Sequence, residues 1–169
     1  MTLFKTLIFT ILVPGTVTVL IPRWLLSTEH TTPTEAIHYL GLVPILMGAA
    51  IYLWCAWDFA TFGKGTPAPI DAPKKLVVRG LYRITRNPMY VGIGLILIGE
   101  AVLFASFALL AYIIAFALLV QLFVTFYEEP TLRRQFGDAY QNYCAAVPRW
   151  ILRFNNGSAS WRKNRNDKT

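Results

Sequence analysis

Two short groups of polar residues, each set beside a long apolar run, could do chemistry. The first reads Arg86-Asn87-Pro88-Met89-Tyr90. Asn is a favoured helix N-cap and Pro a favoured first helical residue, so a helix is expected to begin here. The unpaired backbone N–H groups of its first turn, next to Arg86, would form an anion site. A plainer role is open as well, in which Asn87-Pro88 only starts a helix while Arg83 and Arg86 snorkel toward lipid phosphates. That role explains less well why Tyr82, Asn87 and Tyr90 gather at one spot. The second group is Glu128-Glu129-Pro130. Two adjacent carboxylates at the edge of an apolar run are costly unless they bind something or meet cations, and nearby Arg and Lys are the structural alternative.

An anion site, an acidic pair and several aromatic faces suit S-adenosylmethionine. Its carboxylate needs N–H groups or Arg, its ammonium needs a carboxylate, and its adenine and sulfonium suit aromatic rings. Other zwitterionic nucleotides would suit the same inventory.

The elements that must position these groups follow from composition. The chain has 169 residues, 55% of them hydrophobic and 15% charged, with a formal charge of +7. A soluble domain carries about a quarter charged residues, and so apolar a chain cannot be disordered. The basic excess is therefore read against a membrane rather than nucleic acid. A bilayer core of about 30 Å takes roughly 20 helical residues. Apolar runs cover about 3–21 and 36–59, and a 39-residue block from Met89 to Tyr127 carries one charged side chain, Glu100. As one helix that block would be about 58 Å long, so it is expected to fold back near Ser106.

The expected fold is thus all-α: one integral-membrane domain with four transmembrane helices at about 3–21, 36–59, 88–105 and 107–127. Beyond them, Leu132, Phe136, Tyr140, Tyr143 and Val147 repeat at helical spacing, which predicts an amphipathic interfacial helix over about 130–145. Residues 153–169 form a basic polar tail. Fifteen of the sixteen Lys and Arg fall at the start of the first span (Lys5), between spans two and three, or after the fourth. The positive-inside rule makes that side, and both termini, cytoplasmic, in a bacterial inner membrane or an endoplasmic reticulum equivalent. No small-x-small cleavage pattern follows the first apolar run, which argues against a signal peptide.

Several chemistries are set aside. His30, His38, Cys55 and Cys144 lack metal-site spacing, so no metal is expected. No Ser–His or Cys–His pairing is suggested. Gly92, Gly94 and Gly99 lie inside a span without a preceding strand and are read as helix-packing residues rather than a dinucleotide loop.

Arg86-Asn87-Pro88-Met89-Tyr90-Val91-Gly92, then Glu128-Glu129-Pro130-Thr131-Leu132, then Phe136-Gly137-x-x-Tyr140-x-x-Tyr143 resemble the signature of the isoprenylcysteine carboxyl methyltransferase and phospholipid methyltransferase superfamily. Leu76-Val77-x-x-Gly80-x-Tyr82 also matches, and the resemblance spans about residues 63–152. It implies an integral-membrane enzyme that passes the methyl group of S-adenosylmethionine to a lipophilic or lipid-linked acceptor entering from the bilayer. The cofactor would be held by Lys75, Leu76, Val77, Tyr82, Asn87, Pro88, Met89, Tyr90 and Glu128, with Glu129 as a candidate base.

Two positions depart from the family pattern. Asn87 stands where the eukaryotic prenylcysteine enzymes have His, and Val124 stands where they have an Arg matched to the substrate carboxylate. Val does not replace a bidentate Arg, so a neutral, amine or smaller lipid-soluble acceptor fits better than a prenylcysteine. Gln121, Val124 and Arg86 are the substrate-side candidates. Two other readings remain at this point: an NADPH-dependent membrane reductase of the sterol-reductase type, which shares the Arg-Asn-Pro-x-Tyr element, and a non-enzymatic membrane scaffold.

Overall fold

A computed structural model describes residues 2–29, 36–63 and 76–150. Lys75, most of the Gly- and Pro-rich loop before it, and the basic tail lie outside the described residues. Among those described, every regular element is helical. Three helices are long and apolar enough to cross a membrane, Ile11–Glu29, Ala36–Phe62 and Phe107–Phe136, while Pro88–Phe104 is shorter. Its 17 residues would rise about 25 Å, less than a full bilayer core.

The first helix is longer than its sequence suggests. α1 (Thr2–Gly15) continues through a π-helical turn, Thr16–Leu20, into α2 (Ile21–Glu29), so the end expected at Ile21 moves to Glu29. Within the π turn the Ile21 N–H reaches Thr16 O. The wider register falls just where Pro22 has no N–H to give, so the chain passes the proline without breaking.

A 3₁₀ turn, Ala36–Gly41, leads into α3 (Leu42–Asp58), which packs antiparallel along α4 (Pro88–Phe104). Two glycine pairs set their separation. A Cβ on Gly92 would lie 2.9 Å from Gly48 O, and one on Gly99 would lie 2.5 Å from Gly41 O. The small-residue reading therefore holds for Gly92 and Gly99 and fails for Gly94, which has nothing within 4 Å of its Cβ position.

α4 turns back into α5 (Phe107–Phe123) where the apolar block was expected to fold. Ala105 takes the left-handed conformation at φ 47°, and the Ser106 hydroxyl oxygen accepts from Leu109 N–H as the cap of α5. Glu29 reaches the same corner from the end of α2. Its carboxylate accepts from the Ser106 hydroxyl and, at 3.0 Å, from Ala108 N–H.

The other end of α5 departs from expectation. Instead of stopping at Tyr127, the helix runs through a further π turn, Val124–Glu128, into α6 (Glu129–Phe136). The Glu129 N–H reaches back to Val124 O, again just ahead of a proline, Pro130. The acidic pair is thus inside a helix rather than after one. The single interfacial helix expected over 130–145 is two helices, because Gly137 at φ 51° and ψ −129° separates α6 from α7 (Asp138–Ala146). That conformation is open only to glycine at low cost. Tyr140, Tyr143 and Val147 nonetheless share one small core, with Leu76, Leu132 and Phe136 against it.

Candidate functional site

A cavity of about 630 Å³ opens where the ends of α4, α5 and α6 meet the first helix. Tyr82, Arg86, Asn87, Tyr90, Glu128 and Thr131 line its polar end, and Met89 also contributes to the wall. The remainder is apolar and is formed by Val13 and Val17 of the first helix and Phe116, Leu119 and Phe123 of α5, among others.

The polar end is built by three elements. Val77 is buried with Cys55 and Tyr82 in one core cluster, which fixes the segment before the 3₁₀ turn Gly80–Arg83. Burial holds the phenols of Tyr82 and Tyr143 well above their ordinary pKa. Tyr143 therefore keeps its proton and donates it to Tyr82 O at 2.7 Å. The Phe59 and Tyr82 rings lie 5.4 Å apart at the cavity wall. At the start of α4, the Tyr90 hydroxyl donates to Glu128 Oε2 at 2.9 Å.

The two glutamates have different surroundings. Glu128 faces the cavity. Glu129 does not line it; it is 6% exposed, and both of its oxygens accept from Arg149, Oε1 from Nε and Oε2 from Nη2, each at 2.8 Å. Arg86 approaches the same Glu129 Oε1 at 3.1 Å. These hydrogen bonds with Glu129 push the Arg149 guanidinium above its usual range. A carboxylate held by two guanidinium groups is suited to anchoring, and the candidate base Glu129 is placed with both oxygens engaged and away from the cavity lining. The candidates therefore separate at neighbouring positions of one π turn and the helix that follows it.

Asn87 occupies the N-cap position of α4, but its side chain makes no capping bond there. Its amide instead donates to Arg149 O at 3.2 Å, and Thr85 Oγ1 donates to the same carbonyl at 2.9 Å. Arg86 N–H donates to Pro148 O at 2.9 Å. Trp150 closes the group, donating from its indole to Gln121 Oε1 at 2.8 Å and setting its ring edge against Tyr90 at 6.4 Å.

Of the residues singled out in the sequence, Tyr82, Arg86, Asn87, Met89, Tyr90 and Glu128 come together around the cavity. Pro88 is buried at the first turn of α4, and Leu76 packs against the Tyr140 and Tyr143 core. Gln121 and Val124 do not line the cavity: Gln121 is exposed and bonded to Trp150, and Val124 is 1% exposed in the packing of the helix. Arg149, Trp150 and Thr125 were missed. The signal for the first two was a Pro-Arg-Trp run directly after the last amphipathic turn.

No curated protein and no solved structure matches the chain. The family model described as phospholipid methyltransferase matches residues 36–139, more than half of the chain and inclusive of every cavity-lining polar residue named above, so the chain belongs to the phospholipid methyltransferase family.

Proposed function

We propose that this membrane methyltransferase takes its methyl group from S-adenosylmethionine and passes it to a neutral or amine-bearing lipophilic acceptor, in the manner of the isoprenylcysteine enzymes it resembles. The observation that carries this reading is the pairing of Tyr90 with Glu128 at the polar end of a cavity that is apolar elsewhere.

The residues fit the cofactor's charges. Arg86 lines the cavity, a cation suited to a carboxylate. Glu128 offers a carboxylate to an ammonium, with the Tyr90 hydroxyl fixing its orientation. The Phe59 and Tyr82 rings offer faces to an adenine. Val77 and Leu76 support Tyr82 and its partner Tyr143 from behind, and Lys75, next in the chain, is a further candidate for cofactor contact.

When bound, S-adenosylmethionine supplies an electrophilic methyl group on a sulfonium sulfur. The protein's part is to orient two reactants in line and to exclude water, which needs no covalent enzyme intermediate. The apolar walls from the first helix and α5 serve both purposes for a lipid acceptor. Val124 is packed in the helix with no guanidinium in its place, Arg86 is the one cation lining the cavity among the described residues, and Gln121 is engaged by Trp150. Glu129 acts as an anchor for Arg86 and Arg149. In the bilayer, α4 joins the three longer helices as a fourth span, with both termini and the cavity's polar end on the cytoplasmic side.

The test is to incubate purified protein in native-lipid vesicles with methyl-tritiated S-adenosylmethionine and sort the label into lipid, small-molecule and protein fractions. Label in the lipid fraction is expected, stable to base for an amine or ether and labile for an ester. Binding of NADPH with none of S-adenosylmethionine overturns the proposal in favour of a reductase. Binding of neither leaves the methyltransferase reading without a cofactor and overturns it too.

A further inference from the structure

The segment that follows α7 is densely tied to the site. Within residues 148–150, the Pro148 carbonyl accepts from Arg86 N–H, and the Arg149 carbonyl accepts from Thr85 and Asn87. The Arg149 guanidinium binds Glu129 through two parallel bonds and Thr125 through a third at 3.1 Å. The Trp150 indole is held by Gln121 on α5 and rests its edge on Tyr90 of α4. Of the groups on the other side of these contacts, Arg86, Asn87 and Tyr90 line the cavity, and Thr85, Gln121 and Glu129 each stand next in the chain to a residue that does.

We infer that Arg149 is a positioning residue for cofactor binding: it locks Glu129 and Asn87 and, with Trp150, holds Arg86, Tyr90 and Glu128 in the geometry that receives the cofactor. The inference rests on the functional reading above. It lies outside residues 36–139, the region by which the chain joins its family. The physical basis is the number of restraints that converge on one side chain. Without Arg149, Arg86 would be the one cation left on Glu129 among the described residues and would turn fully toward it, withdrawing from the cavity. The fork geometry matters as much as the charge. A lysine can reach Glu129 but cannot give it two parallel bonds while also binding Thr125.

The experiment measures binding of tritiated S-adenosylmethionine by equilibrium dialysis on the full chain in detergent, alongside thermal unfolding of the same samples. Arg149→Lys is expected to raise Kd about tenfold with an unfolding midpoint within a few degrees of wild type. Glu129→Gln is expected to act in the same direction. The double variant should be no weaker than the poorer single one, because both changes remove one contact. If Arg149→Lys does not fold, Trp150→Ala carries the test: Kd should rise at least about threefold as Tyr90 loses its support.

The inference is overturned if Arg149→Lys binds as wild type does, if the double variant shows fully additive losses, or if weakened binding only follows a fallen unfolding midpoint. Wild-type binding with unaffected variants defeats this inference alone. Absence of wild-type binding defeats the functional reading and the inference together.

Discussion

Tyr90 and Glu128 lie 38 residues apart in the chain and meet at 2.9 Å, hydroxyl to carboxylate oxygen, across the gap between the start of α4 and the π turn that ends α5. Each residue alone has an ordinary explanation, a tyrosine near a helix start and a carboxylate near a membrane edge. Their contact fixes the orientation of one carboxyl group at the cavity. A carboxylate oriented by a hydroxyl on one oxygen can present the other to a cationic ligand group.

Tyr90→Phe should therefore weaken cofactor binding without unfolding the protein. A hydrogen bond to a charged group contributes about 1.5–3 kcal/mol, which corresponds to a Kd raised roughly tenfold to a hundredfold. Glu128→Gln keeps the shape and removes the charge, and should lose at least as much. Titration calorimetry with S-adenosylmethionine checks both. Unchanged affinity in Glu128→Gln would mean that the ammonium is bound elsewhere.

The α3–α4 contact makes a different prediction. Gly92→Ala sets a Cβ 2.9 Å from Gly48 O, and Gly99→Ala sets one 2.5 Å from Gly41 O, in both cases against backbone that cannot rotate away. Overpacking of this kind costs about 1–3 kcal/mol. Gly94→Ala meets nothing within 4 Å and should be neutral or stabilising by up to about 1 kcal/mol, since alanine is the better helix former. Unfolding midpoints of the three variants in one detergent would rank them. A Gly92→Ala protein as stable as Gly94→Ala would show that the helices do not pack as closely as described.

Gly137→Ala tests the break between α6 and α7. No atom lies within 4 Å of the added Cβ, so the cost is conformational alone, from φ 51°. About 1–2 kcal/mol of destabilisation is expected. Because Tyr140 and Tyr143 hang from the far side of this break, limited proteolysis should cut the variant more readily after α6.

These contacts divide by whether their cause is local. Asn87-Pro88, Ser106 and the glycines facing α3 act through their own backbone, a side-chain cap within one turn or their lack of a Cβ, and the start of α4, the hairpin turn and the close helix pair were legible from them. The break at Gly137 was not, although the glycine stood in plain view. Leu132 and Phe136 before it and Tyr140, Tyr143 and Val147 after it all serve one core, so the apolar period runs on across the gap. Pro22 and Pro130 misled in the opposite sense: each follows a π turn that shifts the bonding register, and the helix survives. At the site, adjacent glutamates differ by about 100° around a helix axis, so telling the cavity-facing Glu128 from the anchored Glu129 required the position of a cation 20 residues onward, Arg149. Periodicity carries no information about that contact.

Glu29 offers the last test, because it joins the first helix to the far corner of the bundle through one carboxylate. It accepts from the Ser106 hydroxyl and from Ala108 N–H at 3.0 Å, so it serves as an acidic cap at the positive end of the α5 dipole. Ser106 in turn accepts from Leu109 N–H at 3.1 Å and is 1% exposed. Ser106→Ala removes both roles at once and should cost about 1–2 kcal/mol, the upper part of the range for a lost cap. Glu29→Gln keeps an acceptor and loses the charge, and should cost less, about 0.5–1 kcal/mol. Glu29 and Ser106 stand at the opposite end of α5 from the polar end of the cavity, so cofactor affinity should be unchanged in Glu29→Gln while the unfolding midpoint falls. A Glu29→Gln variant with full stability would show that the first helix is held by its other contacts, among them the hydrogen bond that the Tyr112 hydroxyl donates to Val17 O at 3.0 Å.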